Sequence, residues 1–183
     1  NRINIEVKSS FIKKPGTLIT KRINLNNNRI ITGISSTHND AKVTLVGVKD
    51  RPGVAASIFK PLSINSINVD MVVQNISPNG KETDLTFTIK AEDLNKTKKI
   101  IQENKSIKFK KVLFQKGVSK ISIIGVGMIT TPGVTFRMFQ ALANKKINIQ
   151  VISTSEIKIS VLINKKDAKK ALVTLHKEFK LQE

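Results

Sequence analysis

The feature that most constrains the fold of this chain is an internal repeat. Four segments of its first half recur in the same order in its second half: residues 42–48 and 120–126, 51–54 and 131–134, 66–70 and 146–150, and 83–89 and 157–163. Four ordered matches indicate two copies of one supersecondary unit. The spacing between the matches drifts by a few residues, because surface loops absorb insertions. With 183 residues, the chain is long enough for two small domains.

The first copy alternates between strand and helix patterns. Apolar and small polar residues alternate over 42–48, which is typical of a strand. Val54, Ile58 and Leu62 recur every four residues and share one helical face. Pro61 lies inside this pattern, so we expect the helix to kink or end one residue earlier. Further strands are predicted at 67–75, 83–89 and 109–114, and a second helix at 91–104.

The two copies together predict the fold class. The second copy indicates strands at 121–126, 147–153 and 156–163 and helices at 134–144 and 165–179. It ends with too few residues for a fourth strand, which residues 29–34 could supply. The element order is β-α-β-β-α-β, so we predict an α+β fold with two ferredoxin-like βαββαβ domains, the first inserted into the second. The first domain then covers residues 41–115, and the second covers 29–40 and 116–183.

The net charge of the chain is +19 at pH 7. Lys and Arg neutralise phosphates, so one interpretation is a nucleic-acid partner. The other interpretation is a compositional bias, since Lys, Asn and Ile are all frequent. The lysines are scattered in pairs rather than in blocks, and only eight Phe, without Trp or Tyr, are present for base stacking. We therefore favour the compositional bias and expect no nucleic-acid partner.

The sequence contains no motif for catalysis or metal binding. It has no GxxxxGK[ST] loop, and the pair Gly125 and Gly127 lacks the third glycine of a dinucleotide fingerprint. Cysteine is absent, and the two histidines, His38 and His176, belong to no metal-binding motif. We therefore predict no catalytic residue, no metal ligand and no cofactor in this chain.

The sequence also lacks a membrane or export signal. No apolar stretch approaches the roughly 20 residues that span a bilayer, and the N terminus has no signal-peptide pattern. The absence of cysteine fits a cytoplasmic location. The first residue is Asn1 rather than Met, so we expect the chain to be a piece of a longer protein.

The turn between the first strand and the first helix carries groups that suit an α-amino acid. A helix that begins at Gly53 and Val54 directs free N–H groups toward the turn, and that end can hold a carboxylate. Gly53 lets the backbone approach a ligand, and Ala55 and Ala56 leave room above it. Asp50 offers a carboxylate to an ammonium group. The same residues also fit an ordinary strand-to-helix turn, but their near-duplication in the second copy favours binding.

The strand that follows this helix adds polar side chains. Asp70 lies among apolar residues, where an unpaired charge is costly, so it could meet the cationic end of a ligand. Gln74 and Asn75 supply amide donors and acceptors at the end of the strand. The alternative is that these side chains simply face solvent.

Several segments resemble the regulatory region of the aspartokinase family, which contains tandem ACT domains. The matching segments are 43–56, 67–75 and 83–87 in the first copy and 126–128, 132–135 and 148–160 in the second. The run Ile-Ser-Thr-Ser-Glu-Ile within the last segment is the most specific. Residues 9–11 and 15–19 look like the tail of a kinase domain, so residues 1–28 are assigned to that tail and a linker.

This resemblance implies a regulatory function. Aspartokinases transfer the γ-phosphate of ATP to the β-carboxyl group of L-aspartate, and their catalytic residues lie in a kinase domain that precedes the ACT domains. ATP and Mg²⁺ are therefore expected only in that domain, outside this chain. The ACT domains are expected to form a homodimer, to bind L-lysine, L-threonine or both, and to inhibit the kinase by feedback. The linker at 19–31 would carry the signal.

The resemblance also implies two effector sites at the seam between subunits. The first would use Asp50, Gly53, Val54, Ala55 and Gln74, next to Ala56 and Asn75, with Asn148 and Ile149 from a second subunit. The second would use Met128, Gly133, Val134, Thr135 and Ser155, with Asn68, Val69 and Asp70 from a second subunit. The turn of the second copy has Thr130 and Thr131 where the first has Asp50 and Arg51, so the two sites are expected to be chemically unequal.

Two other functions stay open. The chain could be a free-standing amino-acid-sensing ACT module, although the kinase-like tail argues against this. It could also be a basic RNA-binding ferredoxin-like domain, which would need aromatic side chains on the open face of its sheet. The strands offer mostly Thr, Ser and aliphatic residues, with Phe87 as the exception.

Overall fold

The computed structural model describes residues 5–12, 14–19, 29–76 and 80–181. In these ranges the strands are β1 (Ile5–Val7), β2 (Thr17–Ile19), β3 (Gly33–Ser36), β4 (Asp40–Lys49), β5 (Val69–Ile76), β6 (Glu82–Lys90), β7 (Lys111–Ile124), β8 (Ile149–Ser155) and β9 (Lys158–Asn164). The α-helices are α1 (Val54–Ile64), α2 (Leu94–Glu103), α3 (Val134–Asn144) and α4 (Ala168–Glu178). Single 3₁₀ turns lie at Ala91–Asp93, Val126–Met128 and Lys165–Asp167.

Strands β3 to β9 form one antiparallel sheet. Its order is β5-β6-β4-β7-β9-β8, and β3 also pairs with β7. Within the first half the order is β7-β4-β6-β5, and within the second half it is β3-β7-β9-β8. Each half is therefore a four-stranded βαββαβ unit. The predicted fold class is confirmed. Strand β3 precedes the first unit in the chain but pairs with β7 in the second unit, so the first unit is inserted into the second.

Strand β7 belongs to both halves. The sequence predicted separate strands at 109–114 and 121–126, and that prediction is wrong because β7 is continuous from Lys111 to Ile124. Gly117 has a φ of 72° and lies where the pairing with β4 shifts by one residue. Such a bulge bends a strand and increases its twist, so one strand can serve two units.

Each unit has its own hydrophobic core between its sheet and its two helices. In the first unit, Ile58 and Leu62 of α1 and Ile101 of α2 pack with the inward residues of β4 and β6. In the second unit, Met138 and Leu142 of α3 pack in the same way with α4 and β9. These side chains recur every three or four residues and so lie on one face of each helix.

The sequence predicted that α1 would kink or end near Lys60. The helix does not end there, because it continues through Pro61 to Ile64. Proline inside a helix costs about 3 kcal/mol, because it removes a hydrogen bond and crowds the preceding turn. Leu62, the next residue, is completely buried. The carbonyl of Pro61 also accepts from the backbone and side-chain nitrogens of Asn65, at 3.2 and 3.0 Å. Burial and these contacts hold the last turn in place.

The N-terminal segment forms a small antiparallel sheet of its own. Val7 on β1 lies opposite Thr17 on β2. Phe11, between these strands, is 96% exposed. Of the predicted kinase tail and linker, residues 1–4, 13 and 20–28 lie outside the described residues.

Candidate functional site

The two strand-to-helix turns adopt the same backbone conformation. Gly53 precedes α1 and Gly133 precedes α3, and both have a φ of 86°, in the left-handed region that favours glycine. A Cβ atom added at either position would meet nothing within 4 Å. The backbone conformation, rather than a lack of space, therefore calls for glycine at both helix starts.

Neither helix start is capped by a side chain from the described part of the chain. At α1, the N–H of Val54 donates to the carbonyl of Arg51 at 3.1 Å, and the N–H of Ser57 donates to that of Gly53 at 3.0 Å. The N–H groups between them belong to the first helical turn and have no earlier helical carbonyl to bind. Such an end carries partial positive charge and favours an anion such as a carboxylate.

The second turn opens into a cleft of about 480 Å³, which we call the α3 cleft. It is lined by Met128, Ile129, Thr131, Pro132, Gly133, Val134, Thr135, Thr154, Ser155, Glu156 and Ile159. All five residues that the sequence assigns to this chain's own share of the second site are among them. The volume falls in the usual range for small-molecule pockets, about 300–1,000 Å³. The use of this cleft for an effector stays a prediction.

Glu156 lines the α3 cleft and was missed by the sequence analysis as a site residue. It is exposed and lies between β8 and β9. The turn of the second unit has Thr130 and Thr131 in place of Asp50 and Arg51, and Glu156 supplies a carboxylate to that region. The available signal was its position directly after Ser155, a residue that the resemblance already placed in the site.

The first turn exposes its predicted residues to different extents. Gly53 and Ala56 are exposed, whereas Asp50, Val54 and Ala55 are partly buried. The backbone N–H of Asp50 donates to the carbonyl of Lys81 at 2.9 Å, which ties the turn to the start of β6. The backbone of Asp50 is thus fixed four residues before the start of α1.

The structure separates Gln74 from Asn75. Both are exposed on β5, but adjacent residues of a strand point to opposite faces of the sheet. Asn75 lines a cleft of about 270 Å³ between the two units, together with Ile149 of β8. Gln74 therefore faces the helical side and is the better placed of the two for a ligand at Gly53.

Two lysines cross between the units at equivalent positions of the repeat. Lys120 on β7 forms an ion pair with Asp70 on β5. Lys42 on β4 donates to the Gln150 side-chain oxygen on β8 at 2.7 Å. Burial lowers the pKa of Lys42 below its ordinary value, since a neutral amide does not replace the lost hydration. Two equivalent polar contacts, one from Lys120 and one from Lys42, therefore join the two units.

This arrangement gives Asp70 a cationic partner within the chain. From the sequence, we expected Asp70 to meet the ammonium group of an effector. Its side chain is 54% exposed, so a second donor can still reach the carboxylate. An incoming ammonium group would have to share Asp70 with Lys120.

The residues predicted to act from a second subunit lie at the two outer strands of the sheet. Val69 begins β5, directly after Asn68, and Ile149 begins β8, directly after Asn148. Within the described ranges, each of these strands pairs with one neighbour in the sheet and has one unpaired edge. An unpaired edge can accept another chain, and the use of these residues at a subunit contact stays a prediction.

The described residues hold no group of three or more His, Cys, Asp or Glu side chains that could bind a metal ion. In the same part of the chain, no helix has the length and apolar character needed to cross a membrane.

A family model described as the ACT domain matches residues 43–104 and 121–179. The two matches fall on the two units of the sheet. Together they cover more than half of the chain.

Among curated proteins, the aspartate kinase of Pseudomonas fluorescens (strain SBW25) is 44% identical over 181 residues. That alignment covers 98% of this chain and 44% of the relative. The chain therefore spans less than half the length of the curated relatives it matches.

Two solved structures are similar to this chain over nearly their whole length. The crystal structure of aspartokinase alpha and beta subunits has 38% identity and a TM-score of 0.73, over 82% of this chain and 99% of the other. The ligand-free regulatory subunit of aspartate kinase from Thermus thermophilus has 34% identity and a TM-score of 0.74, over 82% and 99%.

Proposed function

Because this chain belongs to the ACT domain family and is a regulatory region of the aspartokinase type, we propose that it binds end-product amino acids, L-lysine, L-threonine or both. Binding takes place at interfaces between ACT domains and feedback-inhibits the phosphorylation of L-aspartate by ATP. In this proposal the chain itself holds no catalytic site. ATP and Mg²⁺ act at a kinase part, and the assembly works in the cytoplasm.

The α3 cleft is the observation that supports this proposal most. The uncapped N terminus of α3 offers backbone N–H groups to the carboxylate of an amino acid. Glu156 offers a carboxylate to an ammonium group, either the α-ammonium or the side-chain ammonium of lysine. The hydroxyl groups of Thr131, Thr135 and Ser155 suit the hydroxyl of threonine. Both poles of an α-amino acid thus find partners in one cleft.

A second copy of the chain would complete the site. Phe136 and Ile129, next to and within the α3 cleft, are 67% and 59% exposed. Large apolar side chains that are exposed together are typical of interaction surfaces. The free edges of β5 and β8 offer backbone pairing at the same time. We therefore propose a homodimer in which one chain's α3 cleft meets the β5 edge of the other.

Inhibition then follows from differential binding. An effector that bridges two subunits stabilises the dimer arrangement in which the bridge forms. It inhibits the kinase only if its affinity differs between the active and inhibited arrangements. The segment at 19–31 connects the ACT domains to the N-terminal residues and would transmit the change.

Calorimetric titration of the chain with L-lysine and L-threonine, separately and together, tests the proposal. We expect saturable binding of at least one amino acid. Glu156→Gln should weaken it by about tenfold, because a charge-assisted hydrogen bond is lost. Glu103→Gln removes the same charge from an exposed position at the end of α2 and serves as the matched control. Absence of binding of both amino acids would refute the proposal.

A further inference from the structure

A groove of about 1,000 Å³ runs between α3 and α4, on the helical side of the second unit. We call it the α4 groove. It shares no lining residue with the α3 cleft. Seven of its ten lining residues are Lys or Arg, and one is acidic. A concave surface with this charge attracts anions.

Two of the seven cations already have partners. Arg137 Nε donates to a carboxylate oxygen of Glu178 at 2.9 Å. Lys170 Nζ donates to the carbonyl of Lys145 at 2.8 Å and so caps the C terminus of α3. The ammonium groups of the other five have no acceptor within hydrogen-bond distance among the described residues: Lys145, Lys166, Lys169, Lys177 and Lys180.

Four of these free cations lie along one element. Lys169 and Lys177 lie on one face of α4, two helical turns apart. Lys166 lies just before the helix and Lys180 just after it. The four like charges repel one another, and none of them is buried, so packing does not compensate for this repulsion.

The first unit provides an internal comparison for this charge. Alignment of Leu94 with Ala168, the first residues of α2 and α4, places Glu92 at the position of Lys166 and Glu103 at that of Lys177. Asn95 takes the place of Lys169 by the same alignment. Helix α2 carries its lysines at Lys96, Lys98 and Lys99 instead, so only Lys170 of the lysines on α4 has a lysine at the equivalent position. The two units therefore differ in where their lysines lie, and those of the second unit line the α4 groove.

We propose that the α4 groove binds a small anion with several phosphate groups, of the size of a nucleoside triphosphate or a short inorganic polyphosphate. Ammonium groups are compact point charges that bind phosphate oxygens from several directions. The groove volume suits a ligand of that size. The lining contains no aromatic ring, so a nucleic-acid strand would find no stacking partner. This site is separate from the proposed amino-acid sites.

Titration with sodium tripolyphosphate at near-physiological salt tests this site, with metal-free ATP as a second probe. The test variant is Lys166→Glu/Lys177→Glu, which introduces the residues that the first unit carries at the equivalent positions. The control is Lys99→Glu/Lys105→Glu, which makes the same change in net charge at exposed positions of the first unit. Circular dichroism shows whether each variant is folded, and Lys166→Gln/Lys177→Gln replaces the first variant if it is not.

We expect tripolyphosphate to bind the unmodified chain and to lose at least about tenfold in affinity in the groove variant, since direct phosphate contacts are removed. The control should change by less than about threefold, because only long-range attraction is reduced. ATP should bind about as tightly as tripolyphosphate if the groove contacts the phosphates alone.

Equal losses in both variants would overturn the proposal, because they would assign binding to net charge alone. An RNA oligonucleotide that binds more tightly than tripolyphosphate and loses affinity in the groove variant would also overturn it. Binding of L-lysine or L-threonine should be the same in the groove variant and the unmodified chain. The two proposals therefore fail separately.

Discussion

Equivalent hydroxyl pairs join the neighbouring strands of the two units. In the first unit, the hydroxyl of Thr44 lies 3.1 Å from that of Thr86. In the second unit, Ser122 and Ser160 occupy the same positions of the repeat and lie 2.8 Å apart. The residue types differ, but each pair places one hydroxyl on the first strand and one on the third.

The helices of the two units are joined in the same equivalent way. Lys96 on α2 donates to the carbonyl of Asn65 at the end of α1, at 2.6 Å. Lys170 on α4 donates to the carbonyl of Lys145 at the end of α3, at 2.8 Å. In both units the second helix thus caps the first. Glycine, buried aliphatic residues and these contacts form a frame that the units share.

The units differ at positions that touch solvent. Ala56 on α1 corresponds to Phe136 on α3, and Glu103 on α2 corresponds to Lys177 on α4. Asp50 before α1 has a threonine as its counterpart. The comparison shows that buried positions and backbone conformations are kept between the units, whereas exposed positions carry different side chains.

Truncation of a core leucine in either unit should have the largest effect. Leu62 and Leu142 are equivalent and completely buried. Leu62→Ala and Leu142→Ala should each lower the free energy of unfolding by about 2–5 kcal/mol. Because β7 belongs to both units, we expect each variant to unfold in one transition in urea, followed by circular dichroism. Separate transitions for the two units would contradict the role of β7.

Glycine substitutions should separate crowding from backbone strain. A Cβ atom at Gly125 would lie 2.2 Å from the carbonyl oxygen of Ile30, so Gly125→Ala should cost about 1–3 kcal/mol. Gly53→Ala and Gly133→Ala meet no atom and should cost about 1–2 kcal/mol each, through the left-handed conformation alone. Urea unfolding of the three variants checks this. Unequal costs at Gly53 and Gly133 would break the equivalence of the two turns.

The two lysine contacts between the units should contribute less to the free energy of unfolding. Asp70→Gln replaces the Lys120 ion pair by a neutral contact like that between Lys42 and Gln150. Asp70 is half exposed, so the loss should stay below about 1 kcal/mol and disappear in high salt. Urea unfolding at low and high salt measures it. A larger loss that persists in high salt would show that the units are not equivalent at this contact.

The smallest expected effect is a pH dependence at Lys42. The folded chain has a lowered pKa at Lys42, so below the ordinary value of 10.5 the unfolded chain holds more protons at this residue. The associated stability is present above the unfolded pKa and is lost as pH falls through the folded pKa. The stability of the unmodified chain relative to Lys42→Met should therefore rise with pH in this alkaline window. Parallel stability curves would contradict the assignment.

The repeat allowed most of the fold to be predicted from the sequence. Strand and helix periods are local, and the two glycine turns mark where each first helix begins. The continuity of β7 could not be predicted, because the polar residues Gln115 and Lys116 and then Gly117 interrupt its apolar pattern. The persistence of α1 through Pro61 depends on the burial of Leu62, which only the packed core determines.

The candidate site could be predicted only where it is local. The residues around Gly133 are close in sequence, and the structure places them around one cleft with Ser155. The contact between Lys120 and Asp70 joins positions 50 residues apart, so sequence patterns alone gave no sign of it. Most cations of the α4 groove are close in sequence, on α4 and its flanks, but Arg137 and Lys145 join them only after α3 and α4 have packed, so the groove itself could not be predicted.

The central claim is that the N terminus of α3 holds an effector amino acid. The most direct test is an NMR titration of the isotope-labelled chain with L-lysine and with L-threonine. Our account predicts saturable shifts of the backbone amide signals of Thr135, Phe136 and Glu156, while those of Lys169 and Lys177 in the α4 groove stay unchanged. Amide signals around the α3 cleft that do not move at saturating concentrations of either amino acid would contradict the account.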